Sequence, residues 1–258
     1  SRGGAVDEAA VEAALIDWSE HAVFFDRFAG PTTRAAIRRM KGEAVEDGGG
    51  VKIATRQATN GAAMRISPIG MLHPGDLEGT IEDSIRVTLL THDNYLALSG
   101  ACAVSCAVSA ALMPDADAYS VLRAAVFGAS EGERRGRAGG RDVAEIGLGK
   151  GTAEEKAARI SDEIGCGLHV SEAVPAAVGL FAASPEDPVE VLAGAVNVGY
   201  DTDTIATMAG AIAGALHGAK AFPGHYLPTL NAANGLPLEP LARAVADIAG
   251  RRIRLTVR

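Results

Sequence analysis

Asp201-Thr202-Asp203-Thr204-Ile205-Ala206-Thr207-Met208-Ala209-Gly210-Ala211-Ile212-Ala213-Gly214 opens on two carboxylates and a hydroxyl and continues as a run of apolar and small residues. The run predicts a helix over Thr204–Ala219, with Ile205, Ile212 and Leu216 as its apolar bulk. An Asp or Thr at such a position caps a helix, because its oxygen accepts a backbone N–H that the first turn leaves unpaired. The same oxygens suit a hard cation such as Mg²⁺. Spacing alone leaves both readings open. Ala206, Gly210, Gly214 and Gly218 form a stripe without side chains. Each interior glycine costs roughly 1 kcal/mol relative to alanine, so the stripe predicts another backbone packed close against it. A rigid, buried helix would then hold two acids at its mouth, as a scaffold holds a metal site. The loop is not an EF-hand, since Ala206 and Ile212 stand where Gly and Glu are needed.

Outward from this segment, helical spacing dominates. Helices are expected over Ala5–Phe28, from Pro31 or a following Thr to about Met40, and over Leu77–Leu90, Asn94–Leu112, Ala116–Ser130, Ala153–Ile164, Ser171–Ala183, Pro188–Val198 and Leu238–Gly250. Gly30-Pro31-Thr32-Thr33 breaks the chain, and Gly48-Gly49-Gly50 closes the unit that follows. Residues 51–76 look irregular. Glu131–Gly151, with Arg134, Arg135, Arg137 and Arg141, reads as a charged surface loop. Arg252–Val257 alternates enough to predict one short strand. No internal repeat stands out. The expected architecture is one all-α domain over residues 1–258, a compact helical bundle.

Composition fits that architecture. The chain has 258 residues, 48% hydrophobic and 22% charged, which is an ordinary globular balance. Aromatics make up only 4%, so small residues must let helices approach closely. A net charge of -8 argues against a general nucleic-acid partner. The most apolar run, Leu96–Met113, carries serines and small residues and reads as a buried helix, so no membrane partner is expected. The start, Ser1-Arg2-Gly3-Gly4, has no secretory character. Cys102, Cys106 and Cys166 make no disulfide framework and no zinc spacing, and are expected as reduced core residues of a cytoplasmic protein.

A second string carries chemistry: Thr59-Asn60-Gly61-Ala62-Ala63-Met64-Arg65-Ile66-Ser67-Pro68-Ile69-Gly70. Asn followed by small residues permits positive φ and close backbone approach, and exposed N–H groups there can hold a phosphate. A lone Asn-Gly would be an ordinary turn. Met64 is expected in the core, and Arg65 as a structural ion-pair partner. Gly165-Cys166-Gly167-Leu168-His169 suggests a tight loop near the site, with His169 on the surface. His92, in Thr91-His92-Asp93-Asn94, carries little signal of its own, since a lone histidine is usually a capping or packing residue.

The string Asn197-Val198-Gly199-Tyr200-Asp201-Thr202-Asp203-Thr204 with its following helix resembles the C-terminal metal motif of the ADP-ribosylglycohydrolase family, which includes the dinitrogenase reductase-activating glycohydrolases. That family usually has Gly-Gly before the first Asp; here Tyr200 replaces the second Gly. The Thr59–Gly70 string resembles the family's ADP-ribose diphosphate loop, and the resemblance runs from about Gly30 to Gly218. It implies that Asp201, Asp203 and Thr204 ligate paired Mg²⁺ ions, with Mn²⁺ as the alternative, and that Thr59, Asn60, Gly61 and His92 contact ADP-ribose or an ADP-ribosylated protein. The implied reaction is hydrolysis of an N- or O-glycosidic ADP-ribosyl bond. The family's Gly-Asp-Ala helix and Thr-Asp-Asp-Thr stretch have no counterpart here, so the N-terminal portion of the family fold is expected to be absent. Asp76, Glu78 and Asp83 are candidate substitutes, though a plain solvent face explains them better. The catalytic base is not placed by these strings. The alternatives are a catalytically incomplete ADP-ribose-binding relative and a helical scaffold whose acids merely cap.

Overall fold

The computed structural model describes residues 6–45, 58–135 and 149–256, and throughout them the chain is helical. The helices are α1 Glu8–Ser19, α2 Ala22–Phe28, α3 Pro31–Met40, α4 Ser67–Leu72, α5 Leu77–Leu89, α6 Tyr95–Ala111, α7 Ala118–Arg134, α8 Ala153–Glu163, α9 Val170–Ala183, α10 Pro188–Asn197, α11 Thr202–His217, α12 Tyr226–Asn234 and α13 Leu238–Thr256. The all-α expectation therefore holds. Gly48-Gly49-Gly50 and most of the Glu131–Gly151 run lie outside the described residues.

The centre of the bundle is α6, with 14 of its 17 residues buried. It packs against α4, α5, α7, α9 and α11. Its polar residues are paired inside the core: Ser105 accepts from Ser84 at 2.7 Å, Ser99 donates to the Ala129 carbonyl, and Ser109 donates to the His73 carbonyl. Such pairing makes serine tolerable in a buried helix. No helix among the described residues is long and apolar enough to cross a membrane. The close backbone approach occurs here. A Cβ on Gly128 would strike the Cys102 carbonyl, one on Gly132 would sit 2.7 Å from the Leu98 carbonyl, and one on Gly70 would strike the Ser105 carbonyl. Glycine is what lets α7 and α4 lie directly on α6.

The glycine stripe of α11 behaves differently from expectation. Gly210 makes room for the Leu192 side chain and Gly214 faces the Phe222 ring, while Gly218 ends the helix at φ 75° in open space. Side chains, not a backbone, fill the stripe. On the opposite face Ile205, Met208 and Ile212 are fully buried, each contributing roughly 1.5–3 kcal/mol, and α11 is fixed against α9 and α10.

Four local expectations are corrected. The first helix is broken: Ser19 bonds back to the Ile16 carbonyl, the chain turns at Glu20–His21, and α2 restarts with Phe25 packed edge-on to Trp18 at 5.1 Å. Residues 63–72 are helical rather than irregular, a single 3₁₀ turn followed by α4. The charged loop begins later than Glu131, because α7 runs to Arg134 and Glu131 pairs with Arg134 and Arg135. Arg252–Thr256 continues α13, since a lone strand has no ladder partner in a helical bundle.

Candidate active site

The acidic turn is built by the backbone. Gly199 at φ 97° and Tyr200 at φ 57° are two successive left-handed residues that swing the chain into α11. A tyrosine tolerates this conformation only with some strain, and its ring is left largely exposed at 85%. Asp201 occupies the N-cap position of α11, yet its side chain makes no capping bond. It accepts instead from Asn60 Nδ2 at 2.5 Å and from the Thr204 hydroxyl at 3.1 Å. The capping reading of Asp201 is thereby removed. Thr204 is buried, while Asp203 is exposed on the first turn. Desolvation raises the Asp201 pKa and the neighbouring Asp203 carboxyl adds to it, against the bonds from Asn60 and Thr204. Two carboxyl groups beside a hydroxyl form an oxygen donor set of the kind a hard divalent cation prefers. Among the described residues no third His, Cys, Asp or Glu joins them.

The second string meets the first. Asn60 is buried and is held by its own backbone: its N–H donates to the Leu168 carbonyl, and the Val170 N–H donates to the Ala58 carbonyl. Thr59 and His169 form a single antiparallel bridge. The Asp201 N–H in turn donates to the Cys166 carbonyl. The loop 165–169 thus ties the Asn60 loop and the acidic turn together. His169 caps α9, accepting from Ser171. Gly61 lies close against the His92 ring, where a Cβ would sit 3.2 Å from it.

His92 sits behind this wall rather than on it. Its ring is completely buried, and Nε2 lies 2.9 Å from Thr59 Oγ1 while Nδ1 lies 2.8 Å from Thr91 Oγ1. The buried ring does not line the cavity, and Thr59 and Gly61 stand between it and that space. Burial, with the Arg65 charge, pushes its pKa down to about 3. Arg65 donates to the Gly61 carbonyl at 3.1 Å and to the Thr91 hydroxyl, two neutral acceptors where an ion pair with a carboxylate was expected. Desolvation lowers its pKa to about 10, and it stays charged.

Thr59, Asn60, Gly61, Asp201, Asp203 and Thr204 line one cavity of about 630 Å³. The rest of the lining carries no motif. Val11, Leu15, Trp18 and Phe28 from α1 and α2, with Pro31 and Thr33 from α3, line the same cavity as the acids. Their signal was available only as apolar residues on helices that bury little: α1 has no fully buried residue. Asp76, Glu78 and Asp83 stand away from this wall. Asp76 caps α5 and Glu78 pairs with Arg135. Asp83 is not on a solvent face as expected. It is buried among His73 at 2.8 Å, Arg86 at 2.5 Å, Arg252 at 3.6 Å and the Val6 N–H.

A cavity with an acidic helix mouth bonded directly to an Asn-Gly loop invites comparison with known proteins. The family model for ADP-ribosylglycohydrolase matches residues 1–254. The chain belongs to the ADP-ribosylglycohydrolase family. Its chemistry is the hydrolysis of ADP-ribosyl glycosidic linkages. The chain is 31% identical to Escherichia coli YegU over 97% of its own length and 77% of that protein. It is 30% identical to the human ADP-ribosylhydrolase ARH3 over 64% of its length, and spans 51% of that protein. A protein of Archaeoglobus fulgidus is 32% identical over 77% of the chain.

Proposed function

We propose that this chain is a Mg²⁺-dependent hydrolase of ADP-ribosyl linkages on protein or on a small conjugate. The observation that carries this reading is the 2.5 Å bond from Asn60 to Asp201, which joins the ligand loop and the acid pair in one cavity. Asp201, Asp203 and the Thr204 hydroxyl would hold the metal. When bound, the metal supplies Lewis acidity toward ribose hydroxyls and water. The chain's own residues bind and orient. The Asn60 N–H is taken by the Leu168 carbonyl, so the Thr59 and Gly61 N–H groups are the ones that would face the diphosphate, and Asn60 fixes the direction of the Asp201 carboxylate. Trp18 and Phe28 supply an apolar wall that keeps water from the buried side of the ligand. The glycosidic bond would then break through an oxocarbenium-like state. The three buried free thiols favour a reducing, cytoplasmic setting.

Calorimetry with Mg²⁺ and ADP-ribose tests the reading. The wild type is expected to bind ADP-ribose more tightly with Mg²⁺, and Asp203→Ala to lose that enhancement. Equal behaviour of the two proteins would remove the metal assignment. A catalytically incomplete binder is the second reading, favoured by the presence of only two carboxylates in the described site. Release of ADP-ribose from a modified protein separates the two.

A further inference from the structure

A chain of hydrogen bonds runs behind the ligand loop from Arg65 through Thr91 and His92 to Thr59, and it has a direction. A guanidinium only donates, so Thr91 Oγ1 accepts from Arg65 Nη2. The Thr91 hydroxyl has one hydrogen of its own. Thr91 is buried, and the acceptor it meets among the described residues is His92 Nδ1 at 2.8 Å. The neutral ring, held so by burial, carries one N–H. With Nδ1 accepting, that N–H is on Nε2, which faces Thr59 Oγ1 at 2.9 Å. Thr59 therefore accepts, and among the described residues its own hydrogen meets no acceptor. The opposite tautomer would leave the Thr91 hydrogen unpaired inside the protein, which the desolvation penalty disfavours.

We propose that this relay makes the Thr59 hydroxyl an obligate donor into the cavity, selecting a ligand that presents an oxygen acceptor there, on a phosphate or a sugar. Thr59 is half-buried and lines the cavity, so its hydrogen points where a ligand sits. Arg65 is the anchor. Its second bond, to the Gly61 carbonyl, fixes the other end of the same loop, and the circuit Thr59–Gly61–Arg65–Thr91–His92 closes on itself. Arg65, Thr91 and His92 are positioning residues; Thr59 is the group that touches ligand. The inference rests on the cavity being the ligand site, as proposed above.

Long-range ¹⁵N–¹H NMR of the histidine rings reads the tautomer without any ligand, with His92→Gln assigning the signal. The wild type is expected to show a single Nε2–H tautomer, and Thr91→Val to lose that preference. A wild-type Nδ1–H ring, or an unchanged tautomer in Thr91→Val, overturns the relay. In a second arm, calorimetry compares Thr59→Val and Thr59→Ser. The valine variant is expected to bind ADP-ribose about tenfold more weakly and the serine variant about as well as wild type. Equal loss toward ADP assigns the acceptor to the diphosphate, and loss confined to ADP-ribose assigns it to the terminal ribose. A valine variant that binds both as wild type does overturns the donor role. If wild type binds neither, the functional reading fails while the tautomer still tests the relay.

Discussion

Acidification from pH 7 to pH 5 should destabilise the fold through His92. In the unfolded chain this ring titrates near 6.5; in the folded protein burial holds it at about 3. Between those values the unfolded state binds a proton that the folded state refuses. Stability therefore rises with pH through this window and is fully present above 6.5. Each unit of difference corresponds to about 1.4 kcal/mol, so the whole window is worth at most about 5 kcal/mol and the step from pH 7 to pH 5 about 2 kcal/mol. Urea unfolding at pH 7, 6 and 5, for wild type and His92→Gln, is the assay. Asp201, whose pKa is raised, has the opposite slope, but it is common to both proteins and cancels in the difference. The lowered Asp83 carboxyl acts below its ordinary 3.8, outside the range measured. The stability gap between the two proteins is expected to narrow by about 2 kcal/mol at pH 5. Parallel profiles would refute the burial of a neutral imidazole at this position.

Asp83→Asn removes the charge that His73, Arg86 and Arg252 share, and is expected to cost about 3 kcal/mol in urea unfolding and to speed proteolysis of α13, which Arg252 ties down. Gly128→Ala, which drives a methyl into the Cys102 carbonyl, is expected to lower stability by about 1–3 kcal/mol. Gly210→Ala meets only the end of Leu192 and gains helix propensity, so a change within about 1 kcal/mol is expected; equal losses for the two variants would contradict the packing described. Cys102, its thiol pushed up to about 12 by burial, and the similarly buried Cys106 are expected to resist thiol reagents until the protein unfolds.

Much of this was legible in the residues. The helices expected from about Asn94, Pro188 and Ala153 start within a residue of those positions, and the structure shows each capped by a side-chain oxygen, of Asn94, Asp187 and Thr152. The two strings of the site were visible as strings. Their meeting was not, because Asn60 and Asp201 are 141 residues apart and only the fold joins them. The stripe on α11 misled for a physical reason: glycine spacing records that something approaches closely, but not whether it is a backbone or a leucine. Asp83 misled similarly. A carboxylate in an amphipathic helix looks solvated unless its partners, here from three other parts of the chain, are known. His92 read on its own as a capping or packing residue and lies at the centre of a polar circuit, because both its partners are threonines, which carry no charge signature.

Trp18 is the single tryptophan in the sequence, and the fold sets it in the wall of the cavity that the acids also line. The protein therefore carries its own optical probe. Its indole emission responds to the polarity at that wall, so a solute that displaces water there changes fluorescence without label, dye or tag. Titrations that calorimetry makes slow become measurable in a cuvette, and the edge-on ring of Phe25 keeps the indole oriented while they are made.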